Sequence, residues 1–278
     1  MIPFNFEYYK PTEVQEAVKL YERLDREGKR PVYYGGGTEI ITMARMHNVY
    51  TEAVIDIKDI ARCKMHQLKN GQLILGSALT LREISQKKLF PLLSMTAQRI
   101  ADHTVQNKIT LGGNLAGTII YHETLLPLLV SNSHILVAGI NGERKVLIKE
   151  IFDRRLELVR GEMIVQVIID EKYLSLPYLH VKRTKNEKID YPLITMVALK
   201  NDKSIHMAFA GLCNHPFRSL EMEDVLNNSS TAKDEKIKQT IESIPHGISN
   251  DISGSSEYRK FILHTMLDQA ITNFRERD

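Results

Sequence analysis

Apolar positions recur at helical spacing early in the chain. Val14, Ala17, Val18, Tyr21 and Leu24 fall on one face of a helix predicted over residues 12–28. Thr12 with Gln15 reads as a capping box at its start, and Gly28 stands where a C-cap belongs. A short apolar strand at 31–34 then runs into three glycines. A helix from Glu39 to His47 leaves them, and AVIDI at 53–57 reads as a second strand. Residues 1–58 therefore read as a small βαβ-type unit with a glycine loop at the carboxyl end of its first strand.

The pattern changes over 64–170. QLILGSA predicts a strand, and Thr80 with Glu83 a second capping box opening a short helix. Helices are predicted near 91–103 and 123–131. HILVAG and RKVLI, joined through Asn141-Gly142, read as a β-hairpin on the favoured type I′ turn. MIVQVII at 163–169 reads as a buried strand. The region is expected to be an α+β lobe with a mainly antiparallel sheet. Beyond it, strands near 177–183, 193–199 and 204–212 precede helices near 219–228, 232–244 and 257–276, which predicts a further α+β layer. The expected divisions are 1–58, 59–173 and 174–278.

Composition adds bounds. At 278 residues, 43% hydrophobic and 26% charged, the chain can build a core of ordinary size. Its 37 basic and 34 acidic residues are interspersed, and a net charge of +3 does not point to nucleic acid or membrane. The densest basic segment, Lys182 to Lys188, reads as a solvated face. No apolar run approaches the ~18 residues of a membrane span, and MIPFNFEYYKP does not read as a secretory signal. The 2 cysteines, Cys63 and Cys213, do not suit a disulfide framework or an iron–sulfur cluster, and Cys63 with His66 is too small a set to predict a metal site. The expected compartment is the cytoplasm.

The candidate chemistry lies in two glycine runs about seventy residues apart, Gly35-Gly36-Gly37-Thr38-Glu39 and Thr110-Leu111-Gly112-Gly113-Asn114. Glycine lets the backbone come close to a ligand, and successive N–H groups turned one way suit a diphosphate. Neither run matches the dinucleotide fingerprint or a P-loop. Singly, each also fits a tight turn. As a pair, from different lobes, they suggest a nucleotide held in a cleft.

These residues carry a resemblance. GGGTEI and VQNKITLGGNL resemble the two FAD loops of the FAD-binding (medium) subunit of molybdenum hydroxylases, the xanthine dehydrogenase and carbon monoxide dehydrogenase family. GEMIVQVIID, and Lys182 eight residues before Asp190, fit the same family where its third domain begins, so the likeness runs along the whole chain. It implies a FAD-binding PCMH-type fold with non-covalent FAD between the first two lobes; no histidine lies in either loop. It implies that Tyr33, Tyr34, Gly35, Gly36, Gly37, Thr38, Glu39 and Ile40, with Thr110, Leu111, Gly112, Gly113 and Asn114, wrap the diphosphate mostly through backbone N–H groups. Ile164 matches an adenine-side position, Lys182 a cofactor-contacting lysine, and Tyr191 a residue over the flavin ring, though it also reads as an ordinary core tyrosine. Glu123 is the candidate for the family's acidic position.

The chain departs from that pattern at Gln106, where the family has arginine, and along 115–127. His122 beside Glu123 reads as a surface pair, since neighbours on a helix do not face each other. The resemblance further implies partner chains: a molybdopterin-binding large subunit that hydroxylates a substrate, and a [2Fe–2S] small subunit that relays electrons to this FAD and on to NAD+. Two copies of each chain are expected. No side chain here is expected to act as acid, base or nucleophile. The alternatives are a self-contained FAD-dependent oxidase or dehydrogenase of the same fold, and a non-catalytic nucleotide-binding or assembly protein.

Overall fold

The computed structural model of the chain describes residues 2–186 and 189–275. Its N-terminal part comprises β1 (Glu7–Tyr9), α1 (Val14–Arg26), β2 (Val32–Tyr34), α2 (Thr38–Arg45) and β3 (Ala53–Asp56). The strands form a parallel sheet in the order β1-β3-β2, so the βαβ unit carries one more edge strand than expected. β1 has no apolar alternation to announce it, with Glu7 and Tyr8 both exposed. Helix α1 buries Val14, Ala17, Val18 and Leu24 as its spacing requires. Its start corrects the capping box. The N-cap is Glu13, without a side-chain bond, and the Thr12 N–H instead donates to Glu16 at 2.9 Å. Its end is as expected: Gly28 takes φ +78°, and N–H groups of Gly28 and Lys29 reach back to Asp25 and Leu24 carbonyls.

The middle part holds β4 (His66–Lys69), β5 (Gln72–Gly76), α3 (Leu81–Lys87), α4 (Pro91–Gln98), α5 (His103–Gln106), α6 (Leu111–Ala116) and α7 (Leu125–Val130). It continues through β6 (His134–Gly139), β7 (Gly142–Leu147), α8 (Ile148–Ile151), β8 (Phe152–Asp153), β9 (Arg155–Leu156) and β10 (Met163–Asp170). Five strands pair antiparallel in the order β4-β5-β10-β6-β7. The Thr80–Glu83 capping box is present. Two expectations shift. The predicted 91–103 helix ends at Gln98, because Ala101 turns left-handed at φ +54° and the chain re-enters a short helix at His103. The hairpin turns on Ile140 and Asn141, with Gly139 facing Gly142. Gly142, at φ +112°, opens the return strand.

Strand β10 is buried along nearly its whole length because both faces are covered. Met163 and Val165 join the N-terminal core, while Ile164, Val167 and Ile169 join the middle core. A bulge between Ile164 and Gln166 inverts the alternation between those sets.

The C-terminal part has β11 (Tyr178–Thr184), β12 (Pro192–Asn201) and β13 (Ser204–Ala210) in antiparallel order, then α9 (Leu220–Asn227), α10 (Lys233–Glu242) and α11 (Ser256–Arg275). The predicted last helix extends to 276, which lies outside the described residues, as do Glu187 and Lys188 of the basic segment. β12 alternates between two cores. Ile194, Met196 and Ala198 face its own helices, and Val197 and Leu199 face the middle core. Buried Arg259 on α11 donates to the carbonyls of Leu193 and Gly211 and to Asp251.

Candidate functional site

The first glycine run leaves the carboxyl end of β2 and opens α2. Helix α2 has Gly37 as its N-cap in the left-handed region, at φ +71°. A β-carbon there would also strike the ring of Tyr34, about 2.1 Å away. The N–H groups of Gly36, Gly37, Thr38, Glu39 and Ile40 have no hydrogen-bond acceptor among the described residues. A helix leaves its first N–H groups without internal partners, and a left-handed cap turns them together, which makes a concave anion site.

The second run corrects the expectation of a loop. It is the first turn of helix α6, capped by Thr110, whose hydroxyl oxygen accepts from Gly113 N at 3.2 Å. Its backbone is already engaged. Leu111 N donates to Leu79 O and Gly112 N to Ser77 O, both at 2.8 Å, and Asn114 N donates to Thr110 O at 2.9 Å. The N–H groups of Leu111, Gly112, Gly113 and Asn114 are thus already paired within the protein, unlike those of the first run. The two runs lie against each other. A β-carbon on Gly36 would fall 1.5 Å from Lys108 O, and one on Gly35 would fall 2.6 Å from Thr110 Oγ1. Glycine at 35 and 36 serves the approach of one lobe to the other.

Between the runs and the C-terminal sheet lies a cleft of about 640 Å³, within the usual range for small-molecule sites. Tyr33, Gly35 to Ile40, Thr110, Gly113, Asn114, Glu123, Lys182 and Tyr191 line it. At its far end Lys182 Nζ donates to Glu123 Oε2 and to Arg99 O, each at 2.9 Å, and Thr195 Oγ1 donates to Glu123 Oε1 at 2.8 Å. Burial pushes the Glu123 carboxyl up, while Lys182 and Thr195 pull it back. The solvated-face reading fails at Lys182, whose side chain is only 3% exposed. The surface-pair reading also fails: His122 and Glu123 are both buried and take different partners, His122 Nδ1 bonding to Asn114 O at 2.8 Å. Tyr191 is not a core tyrosine. It is 58% exposed and stacks on Tyr121, with ring centroids 4.9 Å apart.

The family model described as "FAD binding domain in molybdopterin dehydrogenase" matches residues 4–170. The chain belongs to this family. It is 23% identical over 288 residues to the glyceraldehyde dehydrogenase medium chain of Sulfolobus acidocaldarius, covering 97% of this chain and 98% of that one. It is 28% identical over 150 residues to the carbon monoxide dehydrogenase medium chain of Hydrogenophaga pseudoflava, covering 52% and 51%. The solved carbon monoxide dehydrogenase from Hydrogenophaga pseudoflava, in a form lacking the Mo-pyranopterin moiety of the molybdenum cofactor, has the same fold. Its TM-score is 0.85 at 22% identity over 98% of each chain. Quinoline 2-oxidoreductase from Pseudomonas putida gives a TM-score of 0.83 at 20% identity, over 98% of this chain and 97% of that one. The fold is thus the FAD-binding PCMH-type fold.

The donor set of this FAD-binding domain fits its cofactor. The unpaired N–H groups at 36–40 suit a diphosphate, and no lysine or arginine side chain need touch it. Asn114 Oδ1 is taken by Thr124, whose N–H and hydroxyl donate at 3.2 and 2.6 Å, which leaves the amide nitrogen to face the cleft. Glu39 would repel a phosphate at the head of α2. It is held aside instead, its Oε1 accepting from Thr118 N at 2.7 Å and Thr118 Oγ1 at 2.9 Å.

Four expected site residues fall outside the cleft lining. Tyr34 props Gly37 from behind, Leu111 is in the core, Gly112 packs on Ser77, and Ile164 lies in the middle core, 5% exposed. Gln106, in place of the family's arginine, is buried and donates to the carbonyls of Gln98, Ile100 and Ala101 at 3.1 Å, so it folds the break after α4 and does not reach the cleft. Sequence reasoning missed Tyr121, which carries no motif signal. It also missed Asp56 and Lys58, at the end of AVIDIK, whose position beside the first glycine run depends on the parallel pairing of β2 with β3.

Proposed function

We propose that this chain is the FAD-carrying electron-transfer subunit of a cytoplasmic molybdenum hydroxylase complex, taking electrons from a [2Fe–2S] partner subunit and delivering them to NAD+. The carrying observation is the row of unpaired N–H groups at 36–40 facing a cleft bordered by all three parts of the chain. FAD bound there supplies exchange between one-electron and two-electron redox chemistry, which no side chain of this protein provides. In this reading residues 1–58 and 59–173 form the walls of the cleft and 174–278 its cover. The first glycine run binds the diphosphate through its backbone. Thr38, Thr110 and Asn114 add side-chain donors, and the Tyr121–Tyr191 pair screens one face of the flavin. The Glu123–Lys182 pair holds the cover to the walls. The medium-chain names of the relatives support a large molybdopterin-binding partner and a small iron–sulfur one.

The first test is FAD uptake by the purified chain, stripped of cofactor and followed by visible absorption. Stoichiometric uptake supports the reading, and a chain that takes up none rejects it. Co-purification identifies the partner chains. With the assembled complex reduced by its substrate, formation of NADH on adding NAD+ tests the acceptor, and reoxidation by oxygen alone rejects that part.

A further inference from the structure

Behind the first glycine run lies a polar group that no motif marks. Lys58 Nζ donates to the carbonyl of Gly35 at 3.0 Å and to Asp56 Oδ2 at 2.6 Å. Asp56 is 1% exposed, and its carboxylate also accepts from the Tyr8 hydroxyl and, at 3.0 Å, from the Lys58 N–H. The Lys58 ammonium also lies 4.5 Å over the ring of Tyr34, the ring that backs Gly37. Asp56 is thus a fixed anchor on β3, and Lys58 is clamped between it and the loop.

The peptide unit joining Gly35 and Gly36 is planar, with its C=O and N–H pointing in opposite directions. A carbonyl held from behind by Lys58 therefore aims the Gly36 N–H forward, and that N–H is the first of the unpaired donors at 36–40. Glycine on both sides of this peptide leaves its orientation otherwise free to flip. We propose that Lys58, anchored by Asp56 and Tyr8, is a positioning residue for the cofactor's diphosphate, acting through the Gly35–Gly36 peptide without touching the ligand. The inference rests on the FAD reading of the cleft.

The test compares the wild-type chain with Lys58→Met and Lys58→Arg, each stripped of cofactor and titrated with FAD and with ADP, which shares the diphosphate. Lys58→Met is expected to weaken both ligands equally, by about tenfold, the loss of one charge-assisted hydrogen bond. Lys58→Arg, which can still donate to both oxygens, is expected to stay within about threefold of wild type. The ligand-free melting temperature should fall in Lys58→Met, which strands the buried Asp56 carboxylate, and hold in Lys58→Arg. Binding by Lys58→Met within about twofold of wild type overturns the proposal. So does recovery of FAD and ADP affinity in the double variant Lys58→Met/Asp56→Asn, which relieves the stranded carboxylate without restoring a donor to the Gly35 carbonyl, and which would make Lys58 a scaffold ion pair. A wild-type chain that takes up neither FAD nor ADP overturns the cleft reading itself, and this inference with it.

Discussion

The ammonium of Lys182 on β11 lies 2.9 Å from the carboxylate of Glu123 at the foot of α7, with both side chains almost wholly out of solvent. The pair joins the C-terminal sheet to the middle part of the chain at the far end of the cleft. A buried pair of this kind contributes little net stability, but removing one member strands the other. Lys182→Met and Glu123→Leu are each expected to destabilise by about 3–5 kcal/mol. The double variant should recover most of that loss. Chemical denaturation of the four proteins measures the coupling.

Gly36 has no room for a side chain, since a β-carbon would overlap Lys108 O at 1.5 Å. Gly36→Ala must part the two lobes at the first glycine run, where the proposed function places the diphosphate. It is expected to purify without FAD and to melt lower than wild type. Gly247→Ala, with nothing within 4 Å of the added carbon, should change neither. Absorption spectra and thermal melts of the pair check this.

His180 has neither ring nitrogen hydrogen-bonded among the described residues. Burial, with Arg99 and Lys182 nearby, pushes its pKa down to about 4. The unfolded imidazole titrates near its ordinary value of 6.5. Between those values the unfolded chain binds the extra proton. The stability contributed by the neutral, buried ring is therefore complete above about 6.5 and is lost as pH falls toward 4. His180→Leu is expected to flatten the pH dependence of stability in that window, and to raise stability at pH 7 by about 1 kcal/mol by removing unpaired buried groups. Urea denaturation across pH measures both.

Tyr191 is more than half exposed, so its ring contributes little to the fold. Under the proposed function, stacking on the flavin is worth about 1 kcal/mol. Tyr191→Ala should weaken FAD by about fivefold to tenfold and leave the ligand-free melting temperature unchanged. FAD titration beside a thermal melt separates the two effects.

Much of this was legible along the chain. The amphipathic face of α1, the Gly28 cap and the Thr80–Glu83 box are local patterns, and their physics is complete within a few residues. The strands and helices of the C-terminal part were readable for the same reason. The glycine runs and the segments around Lys182 and Tyr191 carried the family resemblance. What misled were features whose meaning depends on a distant partner. LGGN reads as a loop because its glycines disfavour a helix, yet Thr110 caps it and Leu79 and Ser77 accept its first N–H groups. His122 and Glu123 read as surface polar residues because nothing near them in the chain pairs with them.

The sequence by itself determined most of the elements, their order and the identity of the cofactor-binding family, since periodicity, caps and motifs are short-range properties. Only the tertiary structure decided which groups meet at the cleft. The register of β2 on β3 brings Lys58 to Gly35, the packing of β11 against α4 and of β12 against α7 brings Lys182 to Glu123, and close approach of two lobes makes glycine obligatory at 36. Those contacts span many residues of chain, and burial sets their energies, so no local pattern encodes them.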